Sequence, residues 1–196
     1  MRPILPQDKD RLREGLSLLS EQSRYRRFLT SLDTLNDQQV RYLTEIDYSD
    51  HMAWVALDPA LAAQPGLGVA RYIRLAEEPA TAEAAVTVLD NHQGRGIGTI
   101  LLEVLAESAR AHGIHTFRAD VLTENTPMVE ILRDLGATVS HDGSLLRVDV
   151  PIPASLEELP DTPTGRVFKS VARRELPSFQ LRHPDMSPHA DDAPPA

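Results

Sequence analysis

Gln93-Gly94-Arg95-Gly96-Ile97-Gly98-Thr99 stands between an apolar run, AEAAVTVL (residues 82–89), and a stretch carrying Ile97, Leu101, Val104, Leu105 and Ala109. The run alternates as a strand does; the stretch that follows repeats every three to four residues, as an amphipathic helix does. Glycines between a strand and a helix remove side chains where consecutive backbone N–H groups can point at one anion. The helix contributes its unsatisfied N-terminal donors and the positive end of its dipole. The chemistry asked for is a phosphate or pyrophosphate cradle, with Gln93 and Arg95 as extra donors. A P-loop needs G-x-x-x-x-G-K-[ST], and the loop has no such lysine. A dinucleotide fingerprint needs a glycine where Thr99 stands, and an acid closing the next strand, which instead carries Asp120 in its middle. That reading and a purely structural glycine turn remain as competitors on these residues alone.

Working outward, HMAWVAL from His51 and LGVARYIRLA after Pro65-Gly66 read as two more strands before the loop. Ahead of them, Pro3, Ile4 and Leu5 form a short edge strand. Asp8 can cap a helix carrying Leu12, Leu16 and Leu19. Ser20 opens a second helical segment, SEQSRYRRFLTSL, and Asn36 with Gln39 resembles a capping box before Val40, Leu43 and Ile46. After the loop and its helix, TFRADVL (residues 116–122) is a strand. Asn125 or Thr126 then caps a helix with Pro127 in its first turn and Gly136 as its stop. Strands near residues 137–140 and 144–150 close the pattern, so the fold class is α/β (α+β), a sheet with helices on its faces.

The chain has 196 residues, enough for one domain of about 150 residues and an extension. Residues 1–152 read as the domain. Nine of fifteen prolines fall at or after Pro151, so residues 153–196 read as a partly disordered extension, with a short helix at 165–176 packing Val167, Phe168 and Val171 inward. With no cysteine, disulfide, thiolate-zinc and cysteine-nucleophile chemistry are excluded, and the histidines make no metal-ligand spacing, so no metal is expected. The start lacks a signal-like apolar core and no run approaches a membrane span. A cytoplasmic protein without membrane contact is the expectation. A net charge of −9 argues against nucleic acid and suits a cationic partner, although acidity also serves solubility.

Gln93-Gly94-Arg95-Gly96-Ile97-Gly98 fits the Q/R-x-x-G-x-G/A signature of the GNAT superfamily of N-acetyltransferases at every specified position, and the element order resembles that family over residues 2 to about 150. The segments EQSRYRRF (21–28), LTEIDY (43–48) and NTPM (125–128) resemble the acetyltransferase domain of bacterial protein lysine acetyltransferases. The resemblance implies a GNAT fold, with a central mixed, mostly antiparallel sheet flanked by helices on both faces. It implies acetyl-CoA as co-substrate, held by backbone groups of Val86, Thr87 and Val88, by Gln93, Gly94, Arg95, Gly96, Ile97, Gly98 and Thr99, and by Asn125. It also implies an amine acceptor, foremost a protein lysine, and is compatible with a homodimer. Some relatives are fused to a cyclic-nucleotide-binding domain; 196 residues leave no room for one, so that control is not carried over.

Acetyl transfer needs a neutral amine, and a lysine amine with a pKa near about 10.4 must lose a proton to a base. Glu83 is the expected base. It is the only acid in the apolar run 82–89, and stands where the lysine acetyltransferases carry their catalytic glutamate. Partial desolvation is the expected means of activating it. Asp47, Asp50, Asp120 and Glu124 are weaker alternatives as base or pocket lining. Many family members place a tyrosine general acid seven residues beyond the asparagine; this chain has Leu132 there, so no general acid is assigned. Alternatives to protein acetylation are a small-molecule amine acceptor and a non-catalytic acyl-CoA sensor.

Overall fold

The computed structural model describes residues 1–175 apart from Ala62 and Gln64. Its strands are β1 (Arg2–Pro3), β2 (His51–Leu57), β3 (Gly66–Leu75), β4 (Glu78–Val88), β5 (Thr116–Leu122), β6 (Thr138–Asp142) and β7 (Leu145–Pro151). Its helices are α1 (Lys9–Leu18), α2 (Glu21–Phe28), α3 (Asp37–Thr44), α4 (Ile97–Ala111), α5 (Thr126–Asp134) and α6 (Pro163–Glu175). The strands form one sheet in the order β1-β2-β3-β4-β5-β7-β6. Every neighbouring pair is antiparallel except β4 and β5, which run parallel across the α4 crossover. This is a mixed, mostly antiparallel α/β sheet of the kind expected from the sequence.

Strand alternation divides the core into two layers. Met52, Trp54 and Ala56 of β2 pack with Leu101, Val104 and Leu105 of α4. The intervening Ala53 and Val55 pack with Ile4 and Ile46 on the opposite side. There α1 and α3 close a cluster of Leu16, Leu19, Leu35 and Val40 over Leu89. Beyond β5, α5 seats Val129 on Val121, Leu146 and Val148. In the α4 layer the buried Trp54 indole donates to Ser108 Oγ at 2.9 Å, and that hydroxyl donates to Val104 O at 2.8 Å, so neither polar atom is orphaned.

Several local expectations meet their elements, with corrections. The capping box is present: Asn36 Oδ1 accepts from Gln39 N and Gln39 Oε1 from Asn36 N, both at 2.9 Å. Asp8 does not cap α1. Its buried carboxylate accepts from Leu5 N at 2.9 Å and is gripped by Arg2 and Arg11 at 2.6 and 2.9 Å. The first strand is Arg2–Pro3, and Ile4 continues beside it as a fully buried core residue. In α6, Phe168 packs on Leu135 and Leu159, whereas Val167 is 52% exposed and does not face the domain. The side chain of Val171, and residues 176–196, lie outside the described residues. Among the described residues no helix is long and apolar enough to cross a membrane.

Candidate active site

The parallel ladder between β4 and β5 holds only three registered pairs, Thr81 with Thr116, Ala82 with Phe117 and Glu83 with Arg118. Yet β4 runs on to Val88 and β5 to Leu122. Beyond Glu83 the two strands part, while β4 stays paired to β3 through Val88. Alternate residues over 84–88 therefore direct backbone N–H and C=O groups into the opening rather than to a sheet neighbour. Such groups need polar partners. One arm of the opening ends at the glycine loop and α4, the other at Asn125 and α5.

The loop's backbone follows its sequence. Gly94 and Gly96 have φ of +72° and +82°, a region that side-chain-bearing residues rarely adopt. Gly96 is the N-cap of α4 and supplies no side-chain cap, so the helix's first N–H groups have no internal acceptor. Gly98 is not left-handed; a Cβ built there would lie 3.6 Å from Val88 and 4.0 Å from Val86, so a longer side chain would occupy the space between α4 and β4. Ile97 and Thr99 stand in the first turn of α4. Gln93 and Arg95 do not simply aim at a ligand. Gln93 Nε2 donates to Val88 O at 3.1 Å, bracing the loop on the strand, and Arg95 Nη1 donates to His92 Nδ1 at 2.7 Å.

On the other arm, Asn125 precedes α5 with φ −83° and ψ 54°, and its side chain makes no capping bond. The ordinary cap role is thus not what occupies this amide. Leu132, where a tyrosine acid would stand, packs against the Val121, Val129 and Leu146 cluster. Of the alternative acids, Asp47 is consumed by the backbone N–H groups of Ser49, Asp50 and His51 at 2.8–2.9 Å. Asp50 pairs with Arg74 at 2.6 Å, Asp120 faces Arg147 at 3.5 Å, and Glu124 is exposed.

Glu83 stands where the ladder ends, in register with Ile73 on one side and Arg118 on the other. Its side chain is exposed, so the chain itself does not supply the desolvation expected of a base. Arg118 is fully engaged, bidentate to Asp149 at 2.8 and 3.0 Å and reaching Glu78 at 2.6 and 3.1 Å. Among the described residues, Arg27 of α2 acts electrostatically on Glu83. Burial lowers the guanidinium's pKa, and the Glu83 charge opposes that. Arg71, 4% exposed on β3, donates to His51 Nε2 at 2.8 Å and to Leu43 O at 3.1 Å. Arginine has only donors, so His51 Nε2 is the acceptor and its proton sits on Nδ1. Burial, with Arg71 beside it, pushes His51 down to about 4.

Arg27, Arg71 and the Thr87 hydroxyl went unassigned in the sequence. They come from α2, β3 and β4, and only tertiary packing joins them. One signal was present: Arg71 has the same strand parity as Val69 and Ile73 and so points at the layer of α1 to α3. Among the described residues no three His, Asp or Glu side chains converge as metal ligands.

A mixed sheet whose central parallel pair opens beside a glycine-capped helix defines the class of GNAT acyltransferases. The model of the acetyltransferase (GNAT) family matches residues 19–137, and the chain belongs to that family. It is 39% identical over 154 residues to acetyltransferase Pat of Mycolicibacterium smegmatis, covering 78% of this chain and 45% of that protein. It is 30% identical over 142 residues to acetyltransferase PA5475 of Pseudomonas aeruginosa, covering 72% and 76%. The chain thus spans less than half the length of the Mycolicibacterium relative. The GNAT domain of S. lividans PAT superposes with a TM-score of 0.69 at 32% identity, over 76% of this chain and 88% of that one.

Proposed function

We infer that this chain transfers the acetyl group of acetyl-CoA to a primary amine, a protein lysine foremost, with Glu83 as general base. The observation that carries the reading is the parting of β4 and β5 just beyond Glu83, with the uncapped N-terminus of α4 at the end of the same opening. Similarity to acetyltransferase Pat and to the PAT domain supports the lysine acceptor.

Bound acetyl-CoA supplies a thioester whose acetyl carbon passes to the acceptor nitrogen as the C–S bond breaks. The N–H groups of residues 94–99 and the dipole of α4 would hold its pyrophosphate. Gln93 keeps the loop against Val88, and the Asn125 amide is available to the cofactor from the other arm. Backbone groups of Val86, Thr87 and Val88 would bind the pantetheine arm, and an N–H among them would polarise the thioester carbonyl as an oxyanion donor. Glu83 takes the proton that the amine must shed. Leu132 cannot return a proton to the sulfur, so the thiol leaves as thiolate and solvent protonates it, its pKa being well below an amine's.

Glu83→Gln keeps the size of the side chain and removes the base. With acetyl-CoA and a lysine peptide, kcat should fall by about 10²- to 10⁴-fold while the calorimetric Kd for acetyl-CoA stays near that of the wild type. Equal turnover by both proteins would remove Glu83 from its role; saturable acetyl-CoA binding with no turnover by either would favour the sensor.

A further inference from the structure

The layer of α1 to α3 leaves a cleft of about 90 Å³ against β3 and β4, with Leu16, Phe28 and Val69 among its walls. Five polar or charged residues also line it: Asp8 and Arg11, which pair with each other at 2.9 Å, and Arg27, Arg71 and Thr87. Arg27 makes no hydrogen bond or ion pair with another described residue; its guanidinium lies 5.0 Å from the centre of the Phe28 ring. Among the described residues Arg71 hydrogen-bonds neutral groups alone, His51 and the Leu43 carbonyl. The Thr87 hydroxyl is buried with no partner among the described residues. Burial, and after it the charge of Arg27, lowers the pKa of Arg71, so the two cations repel across the cleft. At about 9, Arg71 still carries its charge at neutral pH.

Arg27 and Arg71 are bonded to no carboxylate of this mostly apolar cleft, whose Asp8 is held by Arg2 and Arg11; two such cations ask for an anion, and an orphaned hydroxyl is one more donor for it. The counter-charge acting on Arg27, Glu83, is exposed and is the group that must receive a proton. Size narrows the anion. About 90 Å³ is less than the roughly 150 Å³ that holds a benzene ring, and suits a carboxylate on one or two methylenes.

We propose that Arg27, Arg71 and the Thr87 hydroxyl form an anion subsite that reads a carboxylate on the acceptor, beside the amine that Glu83 deprotonates. This rests on the acetyltransferase reading and names its substrate class: amines with a carboxyl side chain close by, such as a lysine next to Asp or Glu. A guanidinium offers a planar fork to a carboxylate, and Thr87 adds a hydroxyl donor. The net charge of −9 would by itself favour basic surroundings for the lysine. A built subsite reverses that preference locally.

The test uses two short lysine peptides that differ only in having Asp or Asn beside the lysine. The wild type should acetylate the Asp peptide with kcat/KM on the order of tenfold or more above the Asn peptide, mainly through KM. In Arg27→Gln that ratio should fall toward one, and Arg27→Lys should restore part of it, while melting temperatures report that each variant is folded. Equal kcat/KM for the two peptides in the wild type overturns the subsite and leaves the acetyltransferase reading standing. A ratio that survives Arg27→Gln overturns it too. If neither peptide turns over, the acetyltransferase reading fails; calorimetry with the same peptides still decides the subsite, since equal affinities sink it and tighter Asp-peptide binding that Arg27→Gln removes sustains it. Faster transfer from succinyl-CoA than from acetyl-CoA, abolished by Arg27→Gln, would put the carboxylate on the acyl group and overturn the assignment to the acceptor.

Discussion

His51 is held neutral from two directions, by burial at 8% exposure and by the guanidinium of Arg71 on its Nε2. Its folded pKa, about 4, lies below the 6.5 of a free imidazole. Between those values the unfolded chain binds a proton that the folded chain refuses, so stability falls as pH drops through that window. The full contribution, on the order of 3 kcal/mol, is present above pH 6.5 and gone below 4. His51→Gln keeps an acceptor for Arg71 and removes the titration. Its melting temperature should fall less steeply than the wild type's from pH 6.5 to 4; parallel curves would show that His51 does not carry the dependence. The same residue marks what the sequence could not show. Gly94, Gly96 and Glu83 declare themselves through local exceptions, glycines at a helix start and an acid in an apolar strand. His51 and Arg71 gain their meaning from each other across two strands, Arg27 and Thr87 from a cleft that exists only after α2 docks.

Elements carried more of their identity in the sequence than their ends did. The helical period of α4 and the alternation of β4 fixed both elements and the sides they bury. The first strand was displaced to Arg2–Pro3 because pairing with Trp54 and Val55 of β2, not local apolarity, decides its register. In α6 the expected face was off by one side chain. Phe168, 8% exposed, seats against Leu135 and Leu159 with Leu102 and Val150 beside it, and Val167 turns to solvent. Phe168→Ala should therefore cost about 3–5 kcal/mol in denaturant unfolding, while Val167→Ala should stay within about 0.5 kcal/mol. Similar losses for the two would mean that α6 does not rest on the domain through this face.

At the scale of the whole molecule, the proposed function asks an acidic chain to bind an anionic ligand. A net charge of −9 repels acetyl-CoA at long range, so attraction must come from the short-range field of the α4 N-terminus and the loop amides. These groups are organised only in the folded state, so binding must stabilise folding by linkage. Acetyl-CoA at about 100-fold its Kd adds about 2.7 kcal/mol, and for a chain of this size each kcal/mol moves Tm by roughly 2–4 °C, giving a rise of about 5–10 °C. Gly98→Glu is the decisive variant. Gly98 carries no left-handed strain, and a Cβ there meets Val88 at an ordinary 3.6 Å, so the substitution need not damage the fold. Its carboxylate would enter the space between α4 and β4 and repel phosphate, so the ligand-induced rise should vanish whatever the variant's own Tm. Adding Gly96→Glu, at φ +82°, should lower the unliganded Tm as well, because the strain there belongs to the fold and not to the ligand. A full rise in Gly98→Glu would mean that the anion is held elsewhere, and the opening beyond Glu83 would lose its claim to be the cofactor site.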